Sequence, residues 1–187
     1  MTKEKNPWGV GTPWKNSVAF FTYLRGCLRL AWKRHPTKLK VIKDRRKQIP
    51  NPNPKGSKST VFGFTCEMCR NDFTIKECQV DHVIPAGSLQ KKEDIQNFVE
   101  NLLWVTEDDL RLVCKGCNSA LAMAEKQGIS YKDAILEKDA ITWEKLNKGV
   151  KKQRDILEAL GVENAQYLKG KDIRKAYVEY LKSEEGK

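Results

Sequence analysis

Four of the six cysteines form two C-x-x-C pairs, a spacing that lets one turn present two sulfurs to a single ion. The pairs are Cys66 with Cys69 and Cys114 with Cys117, and 44 residues separate them. Together they offer the four thiolates of a tetrahedral structural zinc site, in preference to free thiols or two disulfides. Cys27 and Cys78 belong to no such pair. The sequence therefore predicts that one metal ion holds together two distant parts of the chain.

A histidine beside a carboxylate lies between the two cysteine pairs. His82 directly follows Asp81 and comes just before the turn-forming residues 85–87. An imidazole with an ordinary pKa near 6.5 is largely neutral at physiological pH and can accept a proton. Asn118 directly follows Cys117, where an asparagine could cap the next helix. The position of His82 and Asp81 between the two cysteine pairs thus indicates that they are functional residues.

These stretches resemble the HNH endonucleases that are common in tailed bacteriophages. The matching segments are CEMC at 66–69, CQVDHVIPAGSL at 78–89 and DDLRLVCKGCN at 108–118. The resemblance covers residues 61 to about 126. It implies an α+β fold, in which a small ββα-metal (His-Me finger) core with a four-cysteine zinc site is flanked by N- and C-terminal helices. It also implies a divalent-metal-dependent DNA endonuclease, encoded by a phage and acting with its DNA packaging or replication machinery.

The same resemblance assigns catalytic roles residue by residue. His82 matches the general base, Asp81 the adjacent metal ligand, and Asn118 the last residue of the motif, which completes the metal site. The middle position is usually an asparagine that holds the histidine loop, and here it is Asp109, with Asn101 as the alternative. Two oxygen ligands without a ligand histidine favour Mg²⁺ or Mn²⁺ as the catalytic ion.

The charge is unevenly distributed along the chain. Residues 1–60 have a net charge of +13, residues 61–125 of −5, and residues 126–187 of +3. A concentrated basic segment favours a polyanion partner, here double-stranded DNA. The residues expected to contact DNA are Arg25, Arg29, Lys33, Arg34, Arg45, Arg46 and Lys47. Lys151, Lys152 and Arg154 form a second, weaker cationic face.

Apolar periodicity and punctuating residues divide the chain into three predicted parts. They are a basic helical arm with a Pro/Asn linker (1–60), the zinc-bracketed nuclease core (61–127) and a helical extension (128–187). Helices are predicted over 17–35, 37–48, 93–104, 115–127, 131–146, 148–160 and 171–181, and short strands over 61–64 and 78–82. The apolar stripe with Phe20, Phe21 and Trp32 is expected to be core rather than a surface for stacking bases.

Composition excludes several classes of protein. No apolar run among the 187 residues approaches the roughly 20 that a membrane helix needs. The first ten residues mix charges with proline and glycine, so we expect no export and a cytoplasmic protein, in the host cell if phage-encoded. The C-terminal helices are candidates to dock a protein partner. The alternative function is a non-catalytic, zinc-stabilised module for DNA binding or assembly.

Overall fold

Both helical and alternating apolar spacings occur in the chain, and the protein is accordingly of the mixed α+β class. The structure is a computed structural model that describes residues 6–53, 55 and 57–185. Within these residues it contains seven α-helices and two small antiparallel sheets. The chain divides into two compact units, Met1–Lys115 and Gly116–Lys187, called the first and second unit below. The three-part division at 60 and 127 stays a prediction.

The first unit contains both helices and strands, and the elements that follow β5 are all helices. In chain order they are α1 (Ser17–Lys33), α2 (Pro36–Arg45), β1 (Lys47–Pro50), β2 (Thr60–Thr65), β3 (Asp72–Thr74), β4 (Cys78–His82), α3 (Asp94–Leu103), β5 (Leu110–Cys114), α4 (Lys115–Gln127), α5 (Tyr131–Leu146), α6 (Val150–Ala159) and α7 (Lys171–Glu185). All seven predicted helices and both predicted strands are present. The short strands β1, β3 and β5 were not predicted.

Caps explain several of these boundaries. Asn16 caps α1 by accepting the Ala19 N–H at 2.9 Å. The predicted start of α5 is confirmed, because Ser130 Oγ accepts the Asp133 N–H at 3.0 Å. Gly128 follows α4 with a φ of 65°, a left-handed conformation that glycine adopts readily.

The end of the second predicted helix differs from expectation. The helix stops at Arg45, and β1 pairs with β2 in a three-stranded sheet of order β1-β2-β3. The reason is that Ile49 alternates with exposed neighbours and is itself only 5% exposed, while Pro50 is tolerated on an edge strand. The expected linker after Pro50 connects this hairpin, with the Asn51 N–H donating to the Ser59 carbonyl at 2.9 Å.

A second hairpin carries the motif residues. Strands β4 and β5 are antiparallel, with Cys78 opposite Cys114 at one end and His82 opposite Leu110 at the other. The long connection between them contains α3, and α4 begins at the residue after β5. One end of the hairpin therefore has Cys78 opposite Cys114, and the other end has His82.

The basic N-terminal helices are packed into the first unit. Phe21 and Trp32 of α1 are 3% and 7% exposed, and Val41 of α2 is fully buried. The expectation that the aromatic stripe is core is confirmed for these two aromatic residues. Arg45 at the end of α2 donates to the carbonyls of Leu110 and Glu107, at 3.0 and 2.9 Å. Residues 17–45 thus stabilise the unit that contains His82.

The second unit packs α5, α6 and α7 around two small apolar clusters. Leu136 and Val178 belong to one cluster, and Leu157 and Ile173 to the other. Trp143 packs against the second cluster and stacks on a tyrosine of α7. A partner for these helices stays a prediction. Across the described part of the chain, every helix is too short or too polar to cross a lipid bilayer.

Candidate functional site

The two C-x-x-C pairs come together in one cluster. The sulfurs of Cys66, Cys69, Cys114 and Cys117, called the four-cysteine cluster below, all lie within 4.8 Å of one another. Three of the four residues are buried. The cluster joins the end of β2, the end of β5 and the first turn of α4. This geometry could hold one metal ion, as the spacing predicts.

A tight turn after β2 forms the first half of the cluster. The Cys66 N–H donates to the Asn71 carbonyl, and the Arg70 N–H donates to the Cys66 carbonyl, both at 2.9 Å. Arg70 has a φ of 62°, a left-handed conformation that costs a non-glycine residue about 1–2 kcal/mol. The backbone thus wraps around the sulfur of Cys66 despite local strain.

Hydrogen bonds favour the thiolate form of the cluster. Burial by itself would raise the pKa of Cys66, but N–H groups of Cys69, Cys114 and Met68 more than offset it and lower the pKa to about 7. The Cys114 N–H lies 3.3 Å from the Cys66 sulfur. The Tyr131 hydroxyl donates to the Cys117 sulfur at 3.1 Å. Because metals bind the thiolate, these donors prepare the sulfurs for an ion.

His82 ends β4 with its ring held in one orientation. Its Nε2 lies 3.1 Å from the Leu102 carbonyl oxygen, and its ring lies 4.3 Å from the Trp32 ring. A carbonyl only accepts hydrogen bonds, so Nε2 carries the proton and Nδ1 has the free lone pair. Among the described residues, His35 Nδ1 is the one buried side-chain nitrogen or oxygen atom without a partner. His82 Nδ1 makes no hydrogen bond to the described residues.

The surroundings keep His82 neutral. Burial lowers its pKa most, while the Leu102 carbonyl and the Asp81 charge oppose the shift. The positive charges of Arg29 and Lys38 lower the pKa further. Since the net shift of the pKa is downward from 6.5, the imidazole is mostly neutral at pH 7, and its Nδ1 can accept a proton.

Asp81 has a different partner from its neighbour. Its Oδ2 accepts Arg111 Nε at 2.8 Å and forms an ion pair with Arg111 Nη2 at 2.7 Å. Asp81 and Arg111 are opposite each other in the β4–β5 register. Successive residues of a strand point to opposite faces, which explains why Asp81 and His82 contact different groups. The two side chains are therefore adjacent in sequence but are not hydrogen-bonded to each other.

Asp109 holds the turn that leads into β5. Its carboxylate accepts the N–H and the hydroxyl of Thr106, both at 2.8 Å, and these bonds lower its pKa. The Asp109 carbonyl accepts the Val83 N–H at 2.9 Å, next to His82. Asn101 instead donates to Asn97 within α3 at 3.4 Å. Of the two candidates for the middle position, Asp109 therefore contacts the residue after His82, whereas the Asn101 hydrogen bond stays within α3.

Asn118 lies inside α4 rather than at its start. The helix begins at Lys115, so the sequence interpretation of Asn118 as an N-cap is wrong. Its side chain is half-buried and makes no hydrogen bond to any described residue. The amide oxygen of Asn118, one residue beyond the four-cysteine cluster, can thus accept a hydrogen bond or bind a metal ion.

The basic residues predicted to contact DNA have different surroundings. Those with exposed side chains are Arg25, Arg29, Lys33, Arg34, Arg46 and Lys47. Arg45 is bound to Glu67 at 2.9 Å and to two backbone carbonyls. Lys47 pairs with Asp72 at 2.7 Å, and the Arg46 guanidinium lies 4.5 Å from the Phe62 ring centroid. Four of the predicted DNA-contacting residues make no ion pair or ring contact with the described residues. They are Arg25, Arg29, Lys33 and Arg34, which lie in α1 or directly after it.

The sequence interpretation missed several residues that contact or influence Asp81 and His82. Arg111 pairs with Asp81, Trp32 packs on His82, the Leu102 carbonyl fixes the imidazole, and Lys38 adds a positive charge. Each is distant in sequence from its partner. Only the basic character of α2 could have indicated Lys38.

Comparisons of the chain with protein-family models, with curated proteins and with solved structures found no match.

Proposed function

We propose that this chain is a divalent-metal-dependent DNA endonuclease of the HNH type, with β4, β5 and α4 as its ββα-metal core. The observation that carries the proposal is the state of His82. Its Nε2 is bound to the Leu102 carbonyl, so Nδ1 has the free lone pair, and burial lowers the pKa of the ring below its ordinary value. This is the state that a general base requires.

The four-cysteine cluster supports zinc as the structural ion. Zinc binds thiolates tetrahedrally at about 2.3 Å, which corresponds to sulfur–sulfur separations of about 3.8 Å. The observed limit of 4.8 Å fits such a site after a small contraction. A complete set of four thiolates suits a structural rather than a catalytic ion, because it leaves no coordination position open. In this proposal zinc fixes the end of the hairpin opposite His82.

The reaction would be phosphodiester hydrolysis by water. His82 Nδ1 would take the proton of the attacking water while Nε2 stays bound to Leu102. In this proposal Asp81 Oδ1 and the Asn118 amide oxygen would each be a ligand of the catalytic ion, because both are hard oxygen atoms that suit Mg²⁺ or Mn²⁺. When bound, such an ion supplies positive charge to the phosphate and the leaving oxygen. Asp109 would hold the loop after His82 through the Val83 N–H.

The cations of α1 support duplex DNA as the substrate. Arg25, Arg29 and Lys33 are four residues apart, so they form one stripe along the helix. Arg29 is close enough to His82 to influence its pKa, which connects this stripe to the proposed site. Two adjoining cavities of about 540 and 420 Å³ lie beside α1, and Arg25 lines the smaller one. The proposed setting is a phage protein that works with DNA packaging or replication in the host cytoplasm.

Replacement of His82 tests the proposal directly. Supercoiled plasmid incubated with the wild-type protein and Mg²⁺ or Mn²⁺ should become nicked or linear, and His82→Ala should lose at least about two orders of magnitude in rate. The matched control is Gln96→Ala, which removes an exposed side chain of α3 whose hydrogen bond to Glu100 stays within that helix, and it should leave cleavage unchanged.

The outcomes separate the proposal from its alternative. Equal cleavage by wild type and His82→Ala, with metal content unchanged, would contradict the role of His82. Salt-dependent DNA binding without cleavage in any divalent ion would instead favour the non-catalytic DNA-binding or assembly module.

A further inference from the structure

The guanidinium of Arg111 already contacts Asp81, the proposed metal ligand. Two nitrogens of Arg111 contact the same oxygen of Asp81, Oδ2, at 2.8 and 2.7 Å. The side chains are only 22% and 23% exposed, so solvent screens this pair less than a surface pair. Oδ1 of Asp81 accepts no hydrogen bond from the described residues. One oxygen of the carboxylate is thus paired with Arg111, and the other makes no hydrogen bond to the described residues.

The guanidinium is fixed from its other side as well. Arg111 Nη1 contacts the Met68 sulfur at 3.8 Å, and Met68 lies between the first two cysteines of the four-cysteine cluster. The position opposite Asp81 in the strand register also fixes the Arg111 backbone. Arg111 therefore cannot move away from Asp81 without breaking contacts to the turn that forms the cluster.

The balance of nearby charges disfavours a free dication. Asp81 contributes one negative charge, and Arg111 cancels it at hydrogen-bond distance. Arg29 and Lys38 add positive charge to the surroundings of His82. The charges of Asp81 and Asp109 oppose them there. A divalent cation that reaches Asp81 meets a carboxylate already paired with the Arg111 guanidinium, whose positive charge repels the cation and attracts a phosphate.

We infer that the divalent ion binds this site weakly until a phosphate of the nucleic acid is present, with Arg111 as the resident counter-cation of Asp81 that causes this dependence. The inference rests on the proposed function, because it takes Asp81 as a ligand of the catalytic ion. A bound phosphate adds the negative charge that Arg111 has removed, so metal and DNA assist each other's binding. By linkage the two effects are equal in size. Arg111 is a positioning residue in this account.

The test measures metal binding without any cleavage assay. Mn²⁺ is titrated into the zinc-loaded full chain, and free Mn²⁺ is followed by electron paramagnetic resonance, with and without a short DNA duplex and with a protein-free DNA blank. The variants are Arg111→Gln, Arg111→Lys and Asp81→Asn. Without DNA, Arg111→Gln should bind Mn²⁺ at least about tenfold more tightly than wild type, since an adjacent positive charge is gone. The improvement produced by DNA should shrink by the same factor.

Charge and geometry are separated by the lysine variant. Arg111→Lys keeps the charge and should retain the wild-type Mn²⁺ affinity within about threefold, whereas an increase equal to that of Arg111→Gln would overturn the inference. Unchanged Mn²⁺ affinity in Arg111→Gln, with binding still lost in Asp81→Asn, would overturn the inference and leave the proposed function intact. Undiminished Mn²⁺ binding in Asp81→Asn would overturn both, because Asp81 would then not be a ligand.

Discussion

At the scale of single residues, position within the strands decides which groups can react. His82 and Asp81 are adjacent, yet one contacts Leu102 and Trp32 and the other contacts Arg111. The chemical types of His82 and Asp81 were evident from the sequence. Their partners were not, because each contact depends on the register of β4 and β5 or on the packing of α1.

The two cysteines outside the four-cysteine cluster should differ in reactivity. Cys27 is exposed on α1, whereas Cys78 is half-buried, and burial raises its pKa to about 11 despite the opposing charge of Lys38. At pH 8 only about one Cys78 in a thousand is a thiolate, the form that reacts. We expect iodoacetamide to label Cys27 first in the metal-loaded protein, and peptide mass spectrometry would measure both rates.

The pH dependence provides the check on the Cys78 prediction. A thiolate population below its pKa rises about tenfold per pH unit, so labelling of Cys78 should accelerate about a hundredfold from pH 7 to 9. Labelling of Cys78 as fast as that of Cys27 at pH 8 would show that burial does not control it. Cys27→Ser is the control that assigns the fast phase.

At the scale of elements, the N-terminal helices provide the framework of the hairpin. Arg45 of α2 holds the backbone at Glu107 and Leu110, and Lys40 bridges Glu107 and Asp44 at 2.5 and 2.6 Å. The sequence predicted these helices from their periodicity. It did not predict that they pack on β5, because a basic amphipathic helix also suits a DNA-binding arm.

The three-stranded sheet depends on one glycine. A Cβ on Gly63 would lie 2.5 Å from the Phe73 carbonyl oxygen and would overlap Ile49 Cδ1. Gly63→Ala should therefore lower the free energy of unfolding by about 1–3 kcal/mol, as overpacking does. Chemical denaturation followed by circular dichroism would measure the change.

Gly26→Ala is the matched control for Gly63→Ala, because its added Cβ would lie in open space. Gly26 lies in α1, and a Cβ there would meet no atom within 4 Å beyond its chain neighbours and the backbone of its own helix. Gly26→Ala should therefore raise the free energy of unfolding by about 0.5–1 kcal/mol, because alanine loses less conformational freedom in a helix than glycine does. Equal effects of the two substitutions would contradict the steric explanation.

At the scale of the whole molecule, the formal net charge of +11 conceals an acidic middle segment. Lys38 and Arg29 bring positive charge from the basic segment to His82, in that acidic region. By itself, the net charge of −5 over residues 61–125 would repel a phosphate. Folding changes the local balance, because packing places charges from distant segments next to one another.

The four-cysteine cluster should dominate the stability of the chain. We expect about one zinc per chain by elemental analysis, and its removal by a strong chelator should lower the thermal unfolding temperature markedly. The reason is that structural zinc binding contributes free energy on the order of 10 kcal/mol, which is available only to the folded state. Thermal circular dichroism before and after chelation would measure the shift.

Restoring the ion is the control for this prediction. Addition of stoichiometric zinc should return the original unfolding temperature, and Cys27→Ser should behave like wild type because Cys27 is outside the cluster. An unfolding temperature that does not change after complete chelation would mean that the four thiols do not hold a structural ion.

The sequence by itself determined the α+β class, the seven predicted helices and the four cysteines that cluster, because apolar periodicity and C-x-x-C spacing are local properties of the chain. It also singled out His82 and Asp81 by type and position. Only the tertiary structure decided that Trp32 packs on His82, that Arg111 pairs with Asp81 and that 47–50 forms a strand. Those contacts join segments far apart in sequence, and strand register and side-chain burial are fixed only when the distant segments pack.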